Sequence, residues 1–310
     1  MRDEDRIRIA EAFQLAKSVR ESVWEGWSEV PFVILLVTPE HEFLIRHPYP
    51  SEDFVSLGYD ELLESDVFVR PYSGQYGVDF LATFPAIRGV NTVVIGQPEN
   101  TGKSSTLWVI VVLHEHFHQL QYTRPWYYDR VAGLDLAGDD TSGMWQLNYP
   151  FPYEDPEVGQ RFAAYKSALE ATLAAKGDDE ARAFDDYREA RAAFRASLSD
   201  ADYRYMSFQL WQEGISRHTE YTVAEVAAQR HEPLPAFAGL PDFITYADAV
   251  NELEAGHAEE MASLDLASWK RVVFYPIGAT EGLLLDKLQP GWKERYFAEP
   301  FFVERYHEAR

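Results

Sequence analysis

Cysteine is absent from this chain. Its absence excludes a disulfide framework, a thiolate metal ligand and a cysteine nucleophile, so any metal must be held by histidine and carboxylate. Basic side chains are scarce: 28 Lys and Arg stand against 51 Asp and Glu, a formal charge of −23. A surface of that sign repels phosphate backbones and anionic lipid, which argues against a nucleic-acid partner. Long apolar runs are missing too. The longest, Leu107 to Leu113, is too short to span a bilayer, and the opening MRDEDRIRIAEAFQLAK has no apolar signal core. The expectation is a soluble chain without membrane insertion, cytoplasmic as it stands, or secreted or periplasmic where a signal peptide has been removed. No Gly/Ser linker, internal repeat or low-complexity tract divides it.

What is present suffices for a large core: 310 residues, 46% hydrophobic and 15% aromatic. Residues 4–24 carry Ile9, Ala12, Phe13, Ala16, Val19 and Val23 at helical spacing, which predicts an opening amphipathic helix. The period then changes. Short β-branched or aromatic runs at 31–38, 42–47, 65–70, 78–84 and 91–96, separated by Pro, Gly, Asp and Ser, predict a mixed sheet of about five strands. From Thr106 onward the pattern is mostly helical, with an irregular Pro- and aromatic-rich stretch at 124–156. The Ala- and charge-rich segment 157–198, broken at KGDD, reads as a helical hairpin. The fold class expected is α+β, in one unit over 1–310: sheet and first motif helix in 1–123, a loop and hairpin insertion in 124–200, and a helical part in 201–310.

Residues 107–122 read LWVIVVLHEHFHQLQY, with Ser104, Ser105 or Thr106 available as the N-cap. On a helix His114 and His118 stand four residues apart on one face, so both imidazoles reach a single ion. Glu115 lies about 100° round the axis from His114, placed to take a proton from water rather than to ligate. Imidazole and carboxylate ligands favour Zn2+. His116 points to the other side of the helix and reads as packing.

A zinc site of this type needs a third protein ligand. Gln121 and Arg124 occupy the positions where a metzincin carries Gly and His, which excludes that branch. Downstream, the predicted helix 201–230 contains WQEGISRHTEY. The pairing of HEHFH with WQEGISRHTEY resembles the gluzincin metallopeptidases. The resemblance implies a zincin-like fold, a peptide or protein substrate, His114 and His118 as zinc ligands, Glu213 as the third, and Glu115 as general base. The long span between the motifs makes 124–200 an insertion. Glu220 is a candidate to orient a ligating imidazole. His218, Tyr221 and Tyr275 are candidates to stabilise an oxyanion, with His218 ranked first. Strand 91–96 is expected as an edge strand open to an extended peptide.

Two other readings stand beside the hydrolase. One is a catalytically silent zincin-like binding protein with structural zinc. The other takes GQPENTGKSS, Gly96 to Ser105, as a phosphate-binding loop, although its glycines are one residue too far apart for the P-loop pattern. The aromatic stretch RPWYYDR with GMWQLNYPFPYEDP reads as packing or as a cleft lining.

Overall fold

The opening helix forms where the spacing places it, over Asp3–Val23, with Asp3, Glu4 and Asp5 in its first turn, where acids complement the helix dipole. A computed structural model describes residues 1–308. They form an α+β structure in which a six-stranded mixed sheet precedes a mostly helical remainder. The strands are β1 (Ile34–Val37), β2 (His41–Ile45), β3 (Val55–Asp60), β4 (Ser65–Pro71), β5 (Leu81–Ile87) and β6 (Val90–Gly96).

The sheet order is β3-β4-β2-β1-β6-β5, with β1 and β6 parallel and the other pairs antiparallel. Strand β6 is therefore paired on both sides. The expectation of an edge strand at 91–96 is corrected: β5 is the edge on that side. A hairpin partner that turns outward is not visible in the run of residues. The extra strand, β3, was not expected because Val55 to Tyr59 are all exposed and Gly58 interrupts the run. Strand β1 is buried at every position, as befits a central strand covered on both faces. One of its faces joins Val33, Leu35, Val37, Leu44, Phe54, Tyr76, Ile87 and Val94 in a shared core.

The chain divides into two compact units, 1–123 with 219–254 and 124–218 with 255–310. In the second, the expected hairpin appears as helices Pro156–Ala174 and Glu180–Ala196, joined through Gly177–Asp179. The core there is aromatic, with Phe162, Tyr165, Tyr187, Phe194, Tyr205 and Trp211 fully enclosed. The irregular aromatic stretch packs only in part: Tyr127 and Phe151 are buried, while Tyr128, Met144 and Leu147 are exposed. A fully buried carboxylate, Glu281, accepts from the Tyr165 and Tyr187 hydroxyls and from Arg191 Nε, so its charge is compensated as a buried charge must be. No helix among the described residues is long and apolar enough to cross a membrane.

The segment predicted as one helix over 201–230 runs as Asp200–Gln209, a π-helical turn over Leu210–Gly214, and Ile215–Arg230. A close backbone approach lies at the end of the bulge. A Cβ built on Gly214 would lie 2.4 Å from Gly278 Cα, and one on Gly278 would lie 2.6 Å from Gly214 Cα. Two backbones meet at a pair of glycines because only residues without a Cβ allow that approach.

Candidate metal centre

The helix Ser105–Tyr122 carries the first motif, and Ser104 caps it by accepting the Leu107 backbone N–H. It lies on the sheet and is fastened there by side chains. Trp108 Nε1 donates to Gly96 O at 2.7 Å, and Gln119 Nε2 donates to Asn91 O at 2.8 Å and to Val33 O at 3.1 Å. The opening helix covers it further along, where Trp24 stacks on Phe117. These anchors fix which way the polar face of the helix looks.

That face holds His114, Glu115 and His118, all buried, with a ligand atom from each within 4.8 Å of the others. His114 Nδ1 faces Glu220 Oε1 at 2.6 Å, and His118 Nδ1 faces Gln121 Oε1 at 2.6 Å. A carboxylate and an amide oxygen only accept, so each ring donates from Nδ1 and a neutral ring keeps its lone pair on Nε2. The two Nε2 atoms stand 3.2 Å apart. Two lone pairs at that distance repel unless positive charge, a metal ion or a proton, lies between them. Nitrogens bound at about 2.0–2.1 Å to one tetrahedral zinc are separated by about 3.3 Å, and the separation found here is of that size.

Glu115 is held by the edge strand. The Thr83 hydroxyl lies 2.9 Å from its Oε2 and 2.8 Å from its backbone oxygen, and the Tyr122 hydroxyl donates to Thr83 O. His116 is fully buried on the opposite side of the helix. Its ring stacks on Phe32 with centroids 3.8 Å apart, and its Nδ1 meets Gln119 Oε1. Burial first, and then the positive charge of Arg20, lowers its pKa to about 3. His116 is a packed neutral ring.

Glu213, His218 and Tyr275 belong to the second unit. Glu213 lies on the π turn, with its Oε1 4.0 Å from Arg271 Nη1. Arg271 donates to the Tyr275 hydroxyl at 2.9 Å. Burial raises the Tyr275 pKa, and the charge of Glu213 raises it further, so the hydroxyl keeps its proton. His218, ranked first on sequence, is fully buried with Nε2 2.6 Å from Asp286 Oδ2 and its ring against Trp292. Gly282 leaves room for that ring, since a Cβ there would stand 2.7 Å from it. Desolvation lowers the His218 pKa against the pull of Asp286. These are the surroundings of a core histidine. Tyr221 is also buried.

Sequence reasoning passed over two members of the centre. Gln121 stands where a metzincin carries glycine, yet its place three residues after His118 on one helix also predicts contact. Thr83 carried no signal, being one threonine in an apolar strand.

The segment Gly96–Ser105 is not an open cradle. Pro98–Thr101 forms a helical turn ending at Gly102, and the Asp242 carboxylate takes both the backbone N–H and the hydroxyl of Ser105. A carboxylate thus holds the helix N-terminus that a phosphate would need.

Comparison with known proteins adds no relative to this geometry: no family model, no curated protein and no solved structure matches the chain.

Proposed function

We propose that this protein is a zinc-dependent hydrolase, acting as a metallopeptidase, with His114 and His118 as metal ligands and Glu115 as general base. The observation that carries the reading is the pair of Nε2 atoms 3.2 Å apart, each on a ring whose Nδ1 is held by an acceptor. Glu213 completes the ligand set on the strength of the EG-containing sequence motif alone, and the same resemblance reads the fold as zincin-like.

Zinc bound there would supply a Lewis acid that polarises a carbonyl and acidifies water. The chain's own residues divide the remaining work. Glu220 and Gln121 keep His114 and His118 in the tautomer that offers Nε2. Glu115, oriented by Thr83, takes the proton of the attacking water and returns it to the departing amine. Of the three oxyanion candidates, Tyr275 stands first, because its hydroxyl stays protonated beside Glu213 while His218 and Tyr221 are buried. The peptide substrate is supported by β5, the strand that holds Glu115 through Thr83 and whose outer edge lacks a neighbour in the sheet. An extended peptide adds to such an edge by main-chain hydrogen bonds.

Elemental analysis of purified protein tests the reading. The expected result is about one zinc per chain, lost in His118→Ala and Glu213→Ala and kept in Glu115→Gln. Wild type that holds no metal after incubation with zinc overturns it. Metal retained by Glu213→Ala removes Glu213 from the ligand set. Zinc held without hydrolysis of any peptide in a broad library leaves the structural-zinc reading in its place.

A further inference from the structure

Helix Glu180–Ala196 sets Phe184, Arg188, Arg191 and Arg195 along one face, at spacings of four, three and four residues. All four line a cavity of about 540 Å³ within the second unit, together with Tyr203, Glu304 and His307. A volume of that order accommodates a small organic molecule. Several polar groups of the lining already have partners. Arg191 donates to Glu281 through Nε and to Glu304 through Nη2, the Tyr203 hydroxyl donates to Glu304, and Arg195 pairs with Asp200 while lying over the Tyr203 ring. His307 and Arg188 are different. Both ring nitrogens of His307 are buried and neither has a hydrogen-bond partner, a costly arrangement for polar atoms. Arg188 is exposed and has no ion pair among the described residues. The two groups are close enough to act on one another. Burial lowers the His307 pKa to about 4 against the pull of Glu281, and the charges of Arg191 and Arg188 add to the lowering.

The chemistry of these two groups selects the ligand. A guanidinium only donates, so Arg188 takes an acceptor, and an anionic acceptor binds it more strongly than a neutral one. An imidazole with both nitrogens free supplies at least one N–H to the same acceptor. The charge of the lining agrees: three arginines stand against Glu304 and Glu308, an excess of positive charge in a chain whose formal charge is −23. Another part of the lining is apolar. The Phe184 ring lies with its centroid 5.1 Å from that of His307, and Ala192 also borders the cavity. Such a surface favours a ligand with an organic body over an inorganic ion.

We infer that this cavity is a binding site for a small organic anion, with its carboxylate or phosphate group held by Arg188 and His307 and its apolar part against Phe184. Full-length protein is titrated by isothermal calorimetry with benzoate, with phenyl phosphate and with the neutral benzamide. The variants are Arg188→Gln and His307→Gln, with Arg182→Gln as the control, since Arg182 is an exposed arginine of the same helix that does not line the cavity. Arg188 is exposed, so its substitution leaves the packing intact, and circular dichroism confirms the fold of each variant. The expected result is saturable binding of at least one of the two anions, weakened about tenfold in Arg188→Gln and in His307→Gln. Binding is expected to be unchanged in Arg182→Gln and absent for benzamide. The anion that binds more tightly distinguishes a carboxylate ligand from a phosphate ligand. Failure of both anions to bind overturns the proposal, as does full affinity in a folded Arg188→Gln or benzamide binding as tightly as the anions. An equal loss in Arg182→Gln also overturns it, because general attraction to the arginines of the helix then accounts for the binding.

Discussion

His114 Nδ1 lies 2.6 Å from Glu220 Oε1, although 106 residues separate them in the chain. The carboxylate fixes which nitrogen of the ring carries the proton and which carries the lone pair. If the centre holds zinc, removing the charge at Glu220 loosens the ligand without removing it. Glu220→Gln is expected to weaken zinc binding by about 10–100-fold, measured by competition with a chromophoric chelator. Unchanged affinity would make the contact structural only.

Under the proposed zinc-hydrolase reading, Glu115 and Thr83 separate the chemistry from the metal. In Glu115→Gln the amide no longer accepts a proton, and turnover of a fluorogenic peptide is expected to fall by about 10²–10⁴-fold with zinc retained. Thr83→Val removes the hydroxyl beside Glu115 Oε2 while preserving shape. A smaller fall in kcat with little change in KM is expected for it. Loss of zinc in either variant would contradict the division of roles.

Gly214 and Gly278 make a prediction about stability. Because a Cβ on either would penetrate the other's backbone, Gly214→Ala must push two segments apart. Overpacking of this kind costs about 1–3 kcal/mol, so the midpoint of thermal unfolding should drop by several degrees. An unchanged midpoint would show that the contact yields readily.

Acid sensitivity follows from His257, whose pKa burial lowers to about 4, with the charge of Arg217 adding to the shift. Its Nε2 lies 3.0 Å from Thr280 Oγ1. A histidine whose folded pKa is below its unfolded value of about 6.5 takes up its proton more readily in the unfolded chain. Its contribution is therefore complete above pH 6.5 or so and is lost as pH falls toward 4. The melting temperature of wild type should decline through that window, and His257→Gln should decline less steeply. Parallel curves for the two proteins would remove His257 as a cause.

Local features of the structure were legible in the sequence. The opening helix, the break at KGDD and a cap among Ser104, Ser105 and Thr106 follow from spacing and residue type, and each appears within about a turn of its expected place. Strand β3 was not legible: a strand that buries nothing on either face leaves no alternation to read. Nor was the identity of the edge strand, because β6 and β5 are both short apolar runs and only their pairing distinguishes them.

The same division holds within the candidate site. His114 and His118 share a face because a helix turns about 100° per residue, a property of the local chain that the sequence by itself determined. Gln121 meets His118 for the same reason. Thr83 reaches the centre from an edge strand and nothing in its own neighbourhood marks it, while Glu220, a candidate to orient an imidazole from its place in the second motif, reaches it from a distant helix, and the sequence does not say which ring it holds. Only the tertiary structure decided those two partners, since packing rather than spacing sets which side chains from remote segments converge on one buried polar face.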